Sequence, residues 1–215
     1  MGLLEVLLPP SCAGCGRYGD AICSACRSAL RRPWDPADRF LAPDPGVVVG
    51  ESFVVAVAAF AHRDEAQRII RRLKYGGGRH LADPLARRAQ PAFRRLLGVS
   101  GPGPLVPVPL HRSRERERGY NQAHLLALAL GQEARLPVWP LLVRRRATER
   151  QHGLDRATRV RNLRDAMAVL PGPAPPVVVL VDDILTTGAT FEACAVILRE
   201  AGAAAVYGFA LAREV

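Results

Sequence analysis

A continuous run of apolar residues, followed at once by two acids, constrains this chain more than any other feature. Residues 177–181 read VVVLV, and Asp182 and Asp183 follow directly. Such a run, rich in β-branched residues, is typical of a central parallel strand that is buried on both faces. Ligands of open α/β sheets bind where the parallel strands end. The segment therefore predicts an α/β fold, a central parallel sheet flanked by helices, with a ligand site at the two acids.

The loop after the acids has the composition of a phosphate-binding loop. Residues 184–190 read ILTTGAT and lead into a helical pattern. Backbone amides here can converge on an anion, assisted by the dipole of the following helix. The loop is not a Walker A loop, because the GK[ST] ending is absent, and it is not a GxGxxG loop. The candidate residues for a 5′-phosphate are Thr186, Thr187, Gly188, Ala189 and Thr190.

Asp182 and Asp183 have the chemistry to bind a sugar. Their carboxylates can accept hydrogen bonds from ribose hydroxyl groups while the loop holds the 5′-phosphate. Both are candidate catalytic residues, and Asp183 is the better candidate for a general base. The alternative is a tight strand-to-helix turn in which both acids are solvated caps. The combination of acids, threonines and glycine favours a sugar phosphate.

The rest of the chain alternates between strand and helix patterns, which favours an α/β sheet. Its composition predicts a module at 1–32, a linker rich in Pro, Asp and Gly at 33–50, and one domain at 51–215. The predicted strands cover 53–61, 105–108, 177–181 and 204–211; the predicted helices cover 64–74, 80–97 with interruptions at Pro84 and Pro91, 121–135 with Asn121 as N-cap, and 190–201.

Four cysteines lie close together near the N-terminus in the pattern C-x2-C-x7-C-x2-C. Two such pairs can clamp one Zn2+ ion through four thiolates, in a closed and therefore structural site. The alternative is that these cysteines are redox-active or disulfide-bonded. The fifth, Cys194, falls in the last predicted helix and is expected to be buried and inert. The predicted zinc ligands of this zinc-ribbon-like module are Cys12, Cys15, Cys23 and Cys26.

The charge of the chain is strongly positive and unevenly distributed. The net charge is +10, and the basic residues comprise 29 Arg and one Lys, Lys74. Residues 1–110 carry +6, residues 111–164 carry +8 and residues 165–215 carry −4. The excess favours a polyanionic partner, although a preference for Arg codons contributes to it. A basic wall facing an acidic loop across a cleft is one interpretation, and solvated helix faces are the other.

Nothing in the sequence indicates insertion into a membrane. No apolar stretch approaches the roughly 18 residues that a spanning helix needs. The N-terminal MGLLEVLLPP lacks a basic region and includes Glu5, so it is a poor secretory signal. A cytoplasmic location is therefore expected.

Several motifs together resemble a known family. The segment at 177–190 is similar to the 5-phosphoribosyl 1-pyrophosphate (PRPP) motif of type I phosphoribosyltransferases. The motifs LKY at 73–75, PVPLH at 107–111 and RERGYNQA at 116–123 resemble the ComF/GntX-like branch of that family, as does the N-terminal cysteine cluster. The chain departs from this branch at Met167, where an aromatic residue is usual, and in the Pro/Asp-rich linker. Further matching positions are Arg146, Thr148, Gln151, Leu154, Arg159 and Asn162.

The resemblance implies a type I phosphoribosyltransferase fold with a pyrophosphate-binding loop at 107–112. Lys74 would contact phosphate oxygens as a compact point charge and is a third candidate catalytic residue. His111 would donate to pyrophosphate, although a histidine in such a loop is more often structural. The implied pyrophosphate-binding residues are Lys74, Pro109, Leu110, His111 and Arg112.

Four arginines alternate with other residues at 112–118, just after that loop. In an extended loop all four would project to one face and suit pyrophosphate or a nucleic-acid backbone; in a helix they would spread around it. Tyr120 would stack on a base or pack against the next helix. The candidate flexible-loop residues are Arg116, Arg118, Gly119 and Tyr120.

The resemblance implies transfer of the phosphoribosyl group to an unidentified acceptor, with release of pyrophosphate and with Mg2+ bound beside PRPP. It also implies a link to DNA uptake and natural transformation, whereas GntX-like relatives are linked to carbohydrate metabolism. Two alternatives stay open: a non-catalytic protein of the competence machinery that binds single-stranded DNA with the same fold, and a regulator that senses PRPP. The role of the Arg-rich segment 144–164 is not predicted.

Overall fold

The structure is a computed structural model that describes residues 10–33, 46–75, 77–146 and 156–214. The strands are β1 (Val47–Val48), β2 (Ala56–Ala61), β3 (Leu105–Pro107), β4 (Leu142–Arg144), β5 (Met167–Val169), β6 (Val177–Leu185) and β7 (Ala205–Arg213). The helices are α1 (Ser24–Ala29), α2 (Asp64–Lys74), α3 (Ala82–Ser100), α4 (Arg112–Arg118), α5 (Gln122–Ala134), α6 (Arg156–Ala166) and α7 (Ala189–Glu200). A 3₁₀ turn, Gly78–Leu81, precedes α3.

The described strands form one large sheet and one small hairpin. The large sheet has the order β1-β2-β7-β6-β3, and all neighbours are parallel except β1 and β2. Strands β4 and β5 pair antiparallel beside it. The predicted α/β class with a mostly parallel central sheet is confirmed. Within the described ranges, no helix is both long and apolar enough to span a bilayer.

Strand β6 is the central strand because both faces of its apolar run are buried. Val179 and Val181 pack into a core with α2, α3 and α5, whereas Val178 and Leu180 pack into a second core with α7. The strand is longer than predicted, since its pairing with β7 continues as far as Leu185. The two acids therefore lie near the end of a paired strand rather than in a free loop.

The predicted interruptions at Pro84 and Pro91 are wrong, because helix α3 runs through both residues. Pro84 is the third residue of the helix, where a backbone N–H would have no intrahelical acceptor, so proline is tolerated. Pro91 lies inside a continuous helix of 19 residues. A buried stripe that includes Leu85, Phe93 and Leu96 packs into the core on either side of Pro91. This packing maintains the helix across the residue that weakens it.

The N-terminal module packs directly onto α2. The side chains of Cys12, Ile22 and Cys26 belong to the same core as Ile69 of α2. The Arg68 guanidinium donates from Nε to the carbonyl of Gly14 at 2.9 Å. Of the predicted linker at 33–50, residues 34–45 lie outside the described residues, and β1 falls in its last part.

Asn121 connects helix α5 to the loop that follows β3. Its Oδ1 accepts from the amides of Ala123 and His124, which confirms the predicted N-cap, and its Nδ2 donates to the carbonyl of Val108 at 3.0 Å. Asn121→Ala removes all three hydrogen bonds. We expect it to lower the free energy of unfolding by about 1–2 kcal/mol, the usual effect of a lost N-cap.

Urea denaturation of both chains measures this difference. Asn121→Asp is the matched control, because it retains the capping oxygen and loses only the donor to Val108. An Asn121→Ala chain as stable as the native one would show that the cap contributes nothing.

Candidate functional site

A cleft of about 330 Å³ opens at the carboxyl ends of β6 and β3. One side is acidic and comes from the end of β6. Basic side chains from α2, α4 and β4 line the rest of it. The side chains and backbone that line it belong to Lys74, Val108, Pro109, Leu110, His111, Arg114, Arg118, Asn121, Gln122, Arg144, Asp182, Asp183 and Thr190. The cleft thus favours the basic wall facing an acidic loop over solvated helix faces.

Asp183 and Lys74 form an ion pair at the base of the cleft. The Nζ of Lys74 lies 2.8 Å from Oδ2 of Asp183, and Asp183 is only 4% exposed. Lys74 reaches it because it is the last residue of α2, whose apolar face, including Leu73, is buried against the sheet. The only lysine of the chain is therefore fixed beside the acidic pair.

Asp182 is adjacent to this ion pair and is hydrogen-bonded to its own neighbour. Its Oδ1 accepts from the amide of Asp183 at 2.8 Å. Burial, together with the negative charge of Asp183, raises the pKa of Asp182 well above its usual value, and Lys74 opposes this only in part. Asp182 consequently holds a proton more readily than an isolated aspartate, so it can donate or accept a hydrogen bond at the cleft.

The Thr/Gly loop joins β6 to α7 beside the acids. Gly188 has a φ of +80° and is the N-cap residue of α7, a conformation that favours glycine. Within the described residues no side chain caps this helix, so its first amides face the loop without a side-chain acceptor. Thr190 lines the cleft, while Thr186 and Gly188 border a small hollow next to Asp182. Thr186 and Thr187 are exposed, and Ala189 is buried.

The arginines after β3 are helical, which decides between the two alternatives left open for 112–118. Arg114 and Arg118 lie four residues apart on α4, share a face, and line the cleft. Arg112 lines a separate cavity of about 510 Å³, together with Pro109 and Leu110, which border both cavities. Arg116 is exposed. Two of the four arginines therefore reach the acidic pair's cleft.

His111 borders the cleft and also caps α4. Its Nδ1 accepts from the amide of Ser113 at 3.3 Å and lies 2.7 Å from the Ser113 hydroxyl. The local hydrogen bonds give His111 a structural role at the start of the helix. Its other ring nitrogen is the atom that remains for an anion in the cleft.

Gly119 and Tyr120 form the end of α4 and its contact with α2. Gly119 is the C-cap residue, with a φ of +79°. The Tyr120 hydroxyl donates to the carbonyl of Leu73 at 2.6 Å, and burial raises the pKa of Tyr120. The Arg79 guanidinium lies 5.3 Å from the centre of its ring. Tyr120 is packed rather than free to stack on a base, and it anchors the backbone next to Lys74.

Sequence reasoning missed several residues at this site. Arg144 of β4 enters the cleft, where burial lowers its pKa and the negative charge of Asp182 opposes that shift. It was predicted only as part of an Arg-rich segment, since nothing in its local pattern distinguishes it from Arg145 or Arg146. Within that segment, residues 147–155 lie outside the described residues, including Thr148, Gln151 and Leu154.

The four N-terminal thiols lie close enough to share one metal ion. All four sulfur atoms are within 4.8 Å of one another, and Cys15 Sγ lies 3.7 Å from Cys23 Sγ. Zn–S bonds of about 2.3 Å in a tetrahedron require sulfur atoms roughly 3.8 Å apart, so the site fits zinc. Gly14 permits this turn, because an added Cβ would lie 2.7 Å from Cys26 Sγ.

The environments of the two buried thiols of the cluster differ. Burial raises the pKa of Cys12, but hydrogen bonds from backbone amides, led by that of Cys23, lower it to about 6. Burial raises the pKa of Cys26. The five cysteines of the chain are all described and none is in a disulfide. Cys194 is fully buried with its sulfur 3.4 Å from that of Met167, as expected for an inert residue.

These features define an α/β protein that has a cleft lined by acidic and basic side chains at the ends of its parallel strands and a four-cysteine cluster positioned to bind a metal. The chain is 32% identical to the DNA utilization protein YhgH of Escherichia coli K12, over 92% of each chain. It is 29% identical to competence protein F of Haemophilus influenzae, over 99% of this chain and 94% of that protein. The chain belongs to the ComF-like family.

A third relative extends this comparison. Competence protein ComFC of Bacillus subtilis is 37% identical over 51% of this chain and 44% of that protein. No protein-family model matches the chain. The three relatives together confirm the resemblance to ComF proteins that the sequence indicates.

Proposed function

We propose that the chain has a type I phosphoribosyltransferase fold and binds PRPP with Mg2+ in the cleft at the ends of β6 and β3, which we call the acid–base cleft. There it transfers the phosphoribosyl group to an acceptor. The observation that carries this proposal is the convergence of three features on one cleft: the acid pair, the Thr/Gly loop and the basic wall. PRPP has a matching order of groups, with a phosphate and a diphosphate at opposite ends of a ribose. The proposed ligands are Thr186–Thr190 for the 5′-phosphate, Asp182 and Asp183 for the ribose, and Lys74, the 109–112 loop, Arg114 and Arg118 for the diphosphate.

The reaction follows from this placement. The bond between ribose C1 and the diphosphate oxygen breaks, the electron pair leaves with diphosphate, and a bond forms from the acceptor nitrogen to C1. The transition state resembles an oxocarbenium ion, as in glycoside cleavage. The Asp182–Asp183 pair would stabilise its positive charge, while the arginines and Lys74 would stabilise the negative charge on the leaving group.

The cleft residues fit a magnesium ion that is bound mainly by the substrate. Lys74 is paired with one oxygen of Asp183, and one oxygen of Asp182 accepts from the Asp183 amide, so one oxygen of each carboxylate has neither of these partners. Mg2+ keeps several waters and often binds through few protein carboxylates and through substrate phosphates. When bound, it would neutralise the diphosphate leaving group.

A second function, in handling single-stranded DNA, is supported by the relatives. Proteins named for DNA utilization and for competence match this chain along most of its length. Arg114 and Arg118 on one face of α4, with Tyr75 beside them, combine positive charge with an aromatic ring, as single-stranded nucleic-acid sites do. We propose a role in DNA uptake and natural transformation, in the cytoplasm and in association with the competence machinery, either alongside phosphoribosyl transfer or, for a non-catalytic protein, in its place.

Lys74→Arg tests the proposed function at the residue with the most specific geometry. A guanidinium is longer and planar, so it cannot occupy the ammonium position 2.8 Å from Asp183 without displacing that carboxylate. With Mg2+ present and PRPP at about 100 times its Kd, the native melting temperature should rise by about 5–10 °C. We expect a tenfold loss of affinity to halve this rise approximately.

Differential scanning fluorimetry measures both shifts. Arg94→Lys is the control, an exchange at an exposed position of α3 that does not line the cleft. An equal rise for native and Lys74→Arg chains would contradict the assigned role of Lys74.

A further inference from the structure

A second cavity of about 620 Å³ adjoins the acid–base cleft on the side of β2. Lys74, Arg114 and Arg118 line both cavities, so the two spaces share one wall. The second cavity is lined by His62, which follows β2, by Ile184 of β6, and by Lys74, whose partner Asp183 is a proposed ribose ligand. Its lining residues are His62, Gln67, Ile70, Arg71, Lys74, Tyr75, Arg114, Arg118 and Ile184. A molecule bound there would be next to the sugar rather than in its place.

The charge of this second cavity is positive. Its described lining includes three arginines and one lysine but no acidic side chain. Lys74 is neutralised by Asp183, whereas Arg71 projects from the exposed face of α2. With a diphosphate on the shared wall, Arg71 would remain for a separate anionic group. The cavity therefore favours a ligand that carries its own negative charge.

A planar surface forms one side of the same cavity. The Arg118 guanidinium lies 4.9 Å from the centre of the Tyr75 ring, and its Nη2 donates to the Tyr75 hydroxyl at 3.3 Å. Its Nη1 donates to Gln122 at 2.8 Å, which fixes the orientation of the plane. Tyr75 is 40% exposed. Ile70 and Ile184 add apolar surface, so a flat ring can be desolvated there.

His62 supplies a group that can accept a proton. It follows β2, and its amide donates to the carbonyl of Arg213 at 2.7 Å, which ties it to the sheet. Burial lowers the pKa of His62; the charge of Lys74 adds to this effect, while Glu214 and Asp183 oppose it. A neutral imidazole in the cavity that adjoins the proposed ribose site can take the proton that a nucleophile releases.

We propose that this second cavity is the acceptor site, and that the acceptor is a nitrogen heterocycle with a ring N–H and a carboxylate. The carboxylate binds Arg71, and the ring lies against the Tyr75–Arg118 surface. As the ring nitrogen bonds to C1, its proton passes to His62 and the C1–O electron pair leaves with diphosphate. This inference rests on the proposed function and specifies the substrate class of the same site.

Release of diphosphate from PRPP and Mg2+ by the full chain tests the proposal with two matched pairs of probes. Orotate is compared with uracil, and imidazole-4-carboxylate with imidazole-4-carboxamide. We expect the carboxylate of at least one pair to have a kcat/KM about tenfold or more above that of its neutral partner, the contribution of a charge-assisted hydrogen bond. Arg71→Ala should remove this preference, and Tyr75→Leu should raise KM for both members of the pair.

His62→Ala separates proton transfer from binding. It should lower kcat by about 100-fold or more with little change in KM, as the loss of a general base does. Arg94→Ala is the control for Arg71→Ala, and thermal stabilisation by PRPP should be retained in the Arg71 and Tyr75 variants.

The outcomes distinguish this inference from the proposed function. If PRPP does not stabilise the native chain, the proposed function fails. If PRPP binds but neutral probes react as well as carboxylates, if no probe releases diphosphate, or if Arg71→Ala keeps the preference, the acceptor site assigned here is wrong.

Discussion

Asp182→Asn combined with Asp183→Asn is expected to abolish PRPP binding. Each carboxylate would lose a charge-assisted hydrogen bond to a ribose hydroxyl, worth about 1.5–3 kcal/mol. Together these losses reach about 3 kcal/mol or more, which is at least a hundredfold in affinity. The double variant also leaves Lys74 without its partner at 2.8 Å and so disorders the diphosphate side. Isothermal titration with PRPP and Mg2+ measures the loss.

Two controls keep this result interpretable. Asp165→Asn, at an exposed position of α6, should bind PRPP as the native chain does. Asp182→Asn combined with Asp183→Asn and Lys74→Met removes the unpaired ammonium, and its circular dichroism and melting curve show whether the fold persists. Unchanged PRPP affinity in a folded double variant would refute the proposed ribose site. Retained natural transformation in cells that carry the double variant would separate DNA handling from PRPP binding.

If the four cysteines hold zinc, as predicted, its removal should destabilise the whole chain, not only its N-terminus. Cys12 and Cys26 are 2% and 5% exposed and lie in the same core as α2. Four adjacent thiols without a metal repel one another when ionised. They also lose the metal–sulfur bonds, which contribute about 10–16 kcal/mol in zinc-finger peptides. We expect at least about 3 kcal/mol of this to appear here, and a fall in melting temperature of about 6–12 °C.

Elemental analysis and thermal melts test this prediction together. The purified chain should contain about one zinc per molecule, a strong chelator should lower the melting temperature, and restoring Zn2+ should reverse the change. Cys26→Ser should reproduce the chelated state. A chain that holds no zinc, with a melting temperature that chelation leaves unchanged, would exclude the structural zinc site.

The local elements of the site could be predicted from the sequence because each depends on neighbouring residues. The apolar run before Asp182 specifies a buried strand, Gly188 supplies the left-handed conformation before α7, and Asn121 has the side chain of an N-cap. The cysteine spacing likewise determines which four thiols can meet. These predictions required no knowledge of which strands pair.

The assembly of the cleft and of the second cavity could not be predicted in the same way. Arg144 reaches the cleft only because β4 packs beside the sheet, and His62 reaches the second cavity only because β2 ends next to β7; both are long-range arrangements. The helical state of 112–118 depended on His111 as a capping residue, which the alternating charges concealed. The continuity of α3 through Pro91 depends on core packing that outweighs local propensity.

The account as a whole depends on one interaction, the binding of PRPP at the Asp182–Asp183 cleft. Isothermal titration of the native, zinc-loaded chain with PRPP in millimolar Mg2+ measures it directly. We predict saturable binding of one PRPP per chain that is lost when both acids are replaced by Asn. The absence of heat and of saturation up to millimolar PRPP would contradict the account.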